Sequence, residues 1–354
     1  MSKISKGNEI NERQEGILAF IEANKKASIG QIMEYIQQNV ENITRVTISR
    51  DLEKIIKRGL IERYGAGRAV FYQVSLQYFA LKKIDAESYF AKDADKREIR
   101  ERFNFEIFDI LKNIFTEEEK AKLSKLNNVY QKKIENIAPD ALTKEIERLN
   151  IDFSWKSSKI EGNTYSLLET EQLLKNQQEA VGHTKEESIM ILNHKRALEY
   201  IALNKKEFQL MSVGQIENIH SLLIDNLGVT KNIRKTLVGI TGTNYRPLDN
   251  EFQIKEALEK ACQKVNATKD VFEKAVMLML FIAYIQPFVD GNKRTSRLSG
   301  NAILQSFNSC PLSYRSMDEV EYKKAMLLFY EQNNISYFKE LFLTQFEFAV
   351  DNYF

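Results

Sequence analysis

The stretch from Val271 to Ile285 carries apolar residues on nearly every face of a helix. A helix that is apolar all round has to be buried, so this chain needs a surrounding core. The buried helix ends at Gln286-Pro287-Phe288, a Gly-Asn loop follows, and a new helix is predicted to begin near Thr295. Composition supports a helical solution. The chain has 354 residues, with 43% hydrophobic and 28% charged, enough apolar surface to exclude wholesale disorder. Only 14 Gly and 4 Pro exclude a fibrous chain, and abundant Leu, Ile, Lys and Glu favour helices. The length suggests two or three domains. The longest apolar run, Ala275 to Tyr284, falls short of the ~20 residues of a membrane span.

The formal net charge of +2 is too small for a global polycation, so nucleic-acid binding requires a local patch. Cys262 and Cys310 are isolated and match no zinc spacing. A reducing, cytoplasmic setting without disulfides or a membrane partner is expected. The polar start, MSKISKGNEIN, lacks the apolar core of a signal peptide.

Three zones are predicted: 1–75, 76–150 and 151–354. In the first, Arg13 to Asn24 and a segment opened by Ser28 place their apolar residues at helical spacing. Thr44 opens a third helix, which Gly59 stops. Two short strands, Leu60 to Tyr64 and Ala69 to Val74, are joined by Gly65-Ala66-Gly67. That order is the order of a winged helix-turn-helix. Its third helix carries Thr44, Arg45, Thr47, Arg50, Lys54 and Arg58, side chains suited to phosphates and major-groove edges. The segment Ile43 to Leu52 resembles the recognition helix of DeoR-like repressors, which implies duplex DNA as a partner. The middle zone, with the charged runs Lys92 to Glu101 and Glu117 to Lys125, is expected to form solvated helices. The third zone is mostly helical. Thr236 to Tyr245, with Gly242 inside it and Pro247 after it, suggests a β-hairpin.

The loop Gln286-Pro287-Phe288-Val289-Asp290-Gly291-Asn292-Lys293-Arg294-Thr295-Ser296-Arg297 carries the chemistry. Backbone N–H groups at a helix N-terminus bind anions, and Gly291 lets the backbone approach a phosphate closely. Asp290 is a hard oxygen ligand suited to Mg2+. Arg294 and Arg297 lie three residues apart, near one helical face, where they can clamp phosphate oxygens. Asn292 can donate to a phosphate. Together these residues point to a nucleoside triphosphate with a metal.

This loop resembles the Fic signature, His-Pro-Phe-x-Asp-Gly-Asn-Gly-Arg-x-x-Arg, and the resemblance extends over most of residues 151–330. It implies a mainly α, all-α Fic fold with a small β-hairpin flap, preceded by the winged-helix domain. It also implies transfer of AMP from ATP to a protein hydroxyl, on a target protein or on the chain itself. The roles carried over are Asp290 to Mg2+, Gly291, Asn292, Lys293 and Arg294 at the phosphates, and Arg297 at the terminal phosphate. Ile240, Gly242, Thr243 and Tyr245 fall in the flap that pairs with a target segment. Upstream, Ser157-x-x-x-Glu161-Gly162 within residues 153–163 resembles the family's autoinhibitory motif, whose glutamate pairs with the second arginine, here Arg297. Ser157 and Glu161, four apart, share a helical face.

Two departures matter. Gln286 stands where the family has its general-base histidine, and a glutamine amide cannot accept a proton near neutral pH. Losing such a base typically costs ~10²–10⁴-fold in rate. Lys293 replaces a glycine, as in the related Doc branch, which resembles kinases. The expected function is therefore an autoinhibited protein adenylyltransferase with impaired transfer. The alternatives are a catalytically silent, nucleotide-binding transcriptional regulator and a Doc-like phosphotransferase. His183, His194 and His220 lie outside the motif and read as core or surface residues. The sequence leaves a homodimer open.

Overall fold

The computed structural model describes residues 10–354. The chain divides into two units, one made of residues up to Lys83 with Asp109–Lys120, the other of Ile84–Phe108 with Ala121–Phe354. The first begins with α1 (Glu12–Asn24), α2 (Ile29–Asn39) and α3 (Arg45–Lys57), then β1 (Ile61–Tyr64), β2 (Phe71–Val74) and α4 (Leu76–Leu81). Each of the first three helices starts where a side chain caps it. Asn11, Ser28 and Thr44 each accept a hydrogen bond from the backbone N–H three residues on. The strands pair antiparallel, from Ile61 opposite Val74 to Tyr64 opposite Phe71.

Ile17, Ile21, Ile32, Ile36, Ile48, Leu52 and Ile55 form the core of this unit. The buried Asp51 of α3 accepts from Arg13 Nε at 2.6 Å and Gln14 Nε2 at 2.7 Å, which ties α1 to α3. The element order is the one read from the sequence.

Along the chain then come α5 (Ala86–Phe90), α6 (Ile107–Ile110), α7 (Glu117–Asn136), α8 (Pro139–Ile160), α9 (Leu167–Asn176) and α10 (Lys185–Leu203). They are followed by α11 (Val213–Leu223), α12 (Glu251–Ala267), α13 (Val271–Ile285), α14 (Asn292–Ser306), α15 (Glu319–Gln332) and α16 (Ser336–Asn352). As its composition requires, α13 is buried over almost its whole length. It packs against α12 and α14. Ser296 Oγ of α14 donates to Met279 O of α13 at 2.6 Å. At Gly300 the two helices run so close that a Cβ would lie 2.1 Å from Met279 Cε and 2.6 Å from Met279 Cγ.

Three expectations are corrected. Lys92 to Glu101 is not helical, apart from a single 3-10 turn at Ala94–Lys96. Its polar groups are committed instead to other segments of the second unit. Arg97 Nη2 lies 3.0 Å from the buried Glu331 and also donates to Gly242 O, while Glu101 O accepts from Arg246 N at 2.7 Å. Second, 236–245 forms no hairpin, and among the described residues the only sheet is β1–β2. The backbone groups that would close the hairpin are used elsewhere: Gly242 and Arg246 bond the 97–101 segment, and Arg234 Nη1 takes Thr236 O at 2.7 Å. Third, α14 begins at Asn292, three residues before the predicted Thr295, so Lys293 and Arg294 belong to its first turn.

The α13–α14 contact can be tested directly. Gly300→Val should lower stability by about 1–3 kcal/mol through overpacking, and adding Met279→Ala should recover part of the loss. Urea midpoints measure both, and an unchanged midpoint for Gly300→Val would show that the helices have room to part.

Candidate active site

The loop from Gln286 to Gly291 joins the buried end of α13 to the start of α14, and each of its turns is held by identifiable contacts. Gln286 is in the left-handed region at φ 50° and ends α13 by donating from its N–H to Ile282 O. Its carbonyl accepts from Arg234 Nε at 2.6 Å, and its side-chain Nε2 donates to Ala283 O at 2.6 Å. Tyr330 Oη is 3.5 Å from that nitrogen. The amide is thus turned back into the end of α13. Asn292 closes the loop. Its Oδ1 accepts from Phe288 N at 2.9 Å and its Nδ2 donates to Phe288 O at 2.8 Å, so its amide holds the loop closed.

Gly291, at φ 79°, caps α14. A Cβ there would meet Ile224 Cγ2 at 3.2 Å and His220 Cδ2 at 3.4 Å, and the positive φ is a conformation that glycine adopts without strain. The imidazole of His220 stacks on Phe288 with centroids 3.6 Å apart and planes at 4°. Its Nε2 lies 3.0 Å from Asp290 O. Burial pushes its pKa down to about 4, so near neutral pH it is an uncharged ring whose Nε2–H donates to that carbonyl. His194 is likewise a buried neutral ring, its pKa lowered by desolvation. Both match the bland sequence reading, with the addition that His220 holds the loop from beneath.

Three cations gather on the first turns of α14. Arg294 is almost fully buried, and its Nη2 lies 3.0 Å from the largely exposed carboxylate of Asp290. Its Nε and Nη1 have no partner. Burial lowers its pKa, and leaving such donors unmade is costly, so the position suits an arriving anion. Arg297 is completely buried, and all three of its guanidinium nitrogens are bonded. It donates from Nε to Ser157 Oγ at 3.0 Å, from Nη2 to Ser157 O at 2.8 Å and from Nη1 to Glu161 Oε1 at 2.9 Å. The Tyr322 ring lies 5.2 Å from its guanidinium. Lys293 Nζ reaches the other carboxylate oxygen of Glu161 at 3.2 Å. Burial would raise the pKa of Glu161, but Arg297 and Lys293 outweigh it and hold the carboxyl below its ordinary value.

Ser157 and Glu161 are positioned by α8, whose last turn places both against α14. Of the flap residues, Tyr245 is buried and donates to Tyr284 O at 2.9 Å, with its ring stacked on Tyr284 and Tyr330. Thr243 Oγ1 accepts from Tyr245 N at 3.1 Å. Ile240 is partly buried, and Gly242 is exposed.

Arg234 is a residue that sequence reasoning missed. It is 1% exposed and also donates to Leu248 O, so it pins both ends of the flap to Gln286. Its partners are backbone carbonyls, which no side-chain motif marks. In the first unit, Arg45, Arg50 and Lys54 are exposed on α3. Thr44 caps that helix, and its Oγ1 lies 3.1 Å from Thr47 Oγ1. Arg58 departs from the stripe: burial lowers its pKa, and it faces Glu119 and Glu118.

Residues 210–304 match the family model described as Fic/DOC family. Protein adenylyltransferase fic-1 of Caenorhabditis elegans is 26% identical over 168 residues, 46% of this chain and 33% of that protein. Protein adenylyltransferase Fic of Nematostella vectensis is 28% identical over 174 residues, 48% and 40% of the two chains. The chain therefore spans a third to two fifths of the length of these curated relatives. Among solved structures, C. elegans Fic-1 superposes with a TM-score of 0.59 at 22% identity, covering 66% of this chain and 71% of that one. A Fic-domain signaling protein from Bacteroides thetaiotaomicron gives 0.56 at 17%, covering 65% and 94%. The helical unit has a Fic fold.

The lowered Glu161 pKa sets a pH window. Its ion pairs stabilise the fold fully above the ordinary value of 4.5 and are lost as pH falls through the lower folded value. Glu161→Gln should therefore cost about 1.5–3 kcal/mol near neutral pH, with the deficit against the parent shrinking in acid. Urea unfolding near neutrality and below that window compares them, and a deficit that does not change with pH would exclude an ionic contribution.

Proposed function

We propose that the helical unit is a Fic-type adenylyltransferase site, built to pass AMP from ATP to a protein hydroxyl, held off by Glu161 and lacking its proton acceptor. The observation that carries this is the pair of arginines on α14. Arg294 keeps two buried nitrogens unpartnered while Arg297, one turn on, is bonded at every nitrogen by Ser157 and Glu161. A phosphate chain along this helix start would meet Arg294 first and find the second arginine taken. The relatives named protein adenylyltransferases support the same chemistry.

The residues present fit ATP with Mg2+. Asp290, whose carboxylate is 62% exposed, would hold the cation together with phosphate oxygens, as Mg2+ is usually held. Arg294 and the backbone of Gly291 and the first turn of α14 would hold phosphates. The cation would neutralise charge on the phosphates. His220 and Asn292 keep the loop in shape, Arg234 fixes the flap to it, and Glu161 withholds Arg297. At the acceptor position Gln286 can orient a hydroxyl but cannot take its proton.

Because the Gln286 amide is committed to Ala283 O, a second reading has a specific basis. In it the unit binds nucleotide without transferring it, and the first unit is a DNA reader of winged-helix type. The exposed Arg45, Arg50 and Lys54 of α3 support that role.

Labelled ATP with Mg2+ separates these readings. The parent chain should show little or no self-labelling, Gln286→His weak labelling, and Gln286→His with Glu161→Gly strong labelling. Adding Asp290→Ala should abolish the signal. A double variant silent toward itself and a cell lysate would refute the transferase reading, and transfer of only the terminal phosphate would establish the Doc-like orientation.

The DNA arm has its own assay. In gel shifts on genomic fragments the chain should bind duplex DNA with an affinity that falls steeply with salt, because phosphate contacts release counterions. Arg45→Ala with Arg50→Ala should remove the shift, and unchanged binding by that variant would exclude α3 as the reading element.

A further inference from the structure

The contacts of Glu161 extend beyond Arg297. Its carboxylate is shared, with one oxygen on Arg297 and the other on Lys293. Lys293 is the second residue of α14, near the positive end of the helix dipole, where a cation is disfavoured. Arg294 and Arg297 add two more positive charges within a turn of it. Asp290 is engaged by Arg294, which leaves Glu161 as the carboxylate that compensates both Arg297 and Lys293. The Lys293–Glu161 pair is also sheltered, with side chains 27% and 19% exposed, so solvent screens it less than a surface pair.

We propose that Lys293 is a two-position residue: it latches the inhibitory carboxylate in place and, once Glu161 has withdrawn, becomes a third cation for a polyphosphate. The inference rests on the nucleotide reading given above. It says that the closed state is held by two cations rather than one, and that the open state presents Lys293, Arg294 and Arg297 together. Such a cluster favours a triphosphate over a diphosphate, because the additional charge has additional partners.

The two positions predict that one substitution acts differently in two backgrounds. With Glu161→Gly, Lys293→Ala only removes a ligand and should weaken ATP binding by roughly twofold to fivefold. With Glu161 in place, the same substitution also loosens the latch, which offsets the lost ligand, so ATP affinity should change by less than about twofold. Lys293→Arg should keep both properties, which a merely structural role for the side chain would not require. Calorimetric titration of the full chain with ATP and with ADP, both with Mg2+, reads these effects, and the difference between the two backgrounds is the quantity that measures the latch.

An equal fall in affinity in both backgrounds, or no change in either, overturns the proposal. If neither the parent nor Glu161→Gly binds ATP, the nucleotide reading itself fails. The latch is then decided by urea unfolding of Lys293→Ala, Glu161→Gln and the double variant. Non-additive effects support a coupled pair, and simple additivity overturns it.

Discussion

A guanidinium with no solvent exposure is tolerable only if its donors and its charge are met, and Arg297 meets this condition through one helix. Ser157 supplies a hydroxyl and a carbonyl, and Glu161 supplies the charge. Removing one partner of a buried pair is far more costly than never having built it, so the end of α8 is bound to α14 by electrostatic necessity. The rest of the site follows from that docking. It brings Glu161 within reach of Lys293, surrounds Arg297 with Ser157 and the Tyr322 ring, and leaves Arg294 as the cation with open donors. The same contact that completes the fold therefore engages one of the two arginines of α14 and leaves the other with open donors.

The loop itself depends on a different constraint. An apolar helix must end inside the core, and its last carbonyls then need partners that water cannot provide. Arg234 supplies them for Ile285 and Gln286, and the Gln286 amide supplies one for Ala283. Asn292 and His220 complete the turn from the other side. Position 286 is thus the C-terminus of a buried helix, and its glutamine serves that helix.

Much of this was legible beforehand. The burial of α13 and the helix starts at Ser28 and Thr44 follow from local sequence, and the pairing of Glu161 with Arg297 is implied by the resemblance of the two motifs to the Fic family. The flap was not legible. Gly242 and Pro247 look like hairpin punctuation, but the backbone partners of that segment come from residues 97–101, far away in the chain. The charged run at 92–101 misled for a related reason. Periodic charge suggests a solvated helix, whereas Arg97 is drawn to the buried Glu331, a pairing that no local pattern announces.

By itself, the sequence determined that a buried helix leads through a glycine-containing loop into a basic helix start, that an acidic motif lies upstream, and that a glutamine, which cannot accept a proton near neutral pH, stands at 286. These are properties of residue type and spacing, and helical geometry converts spacing into faces. Tertiary structure alone decided which donors are free and which are spent. Arg294, Arg297, Lys293 and Asn292 read alike in sequence as phosphate ligands. Burial and packing separate them into one with open donors, one bonded at all three guanidinium nitrogens, one sharing the Glu161 carboxylate and one closing the loop, because a buried hydrogen-bonding group draws its partners from whatever the fold brings beside it.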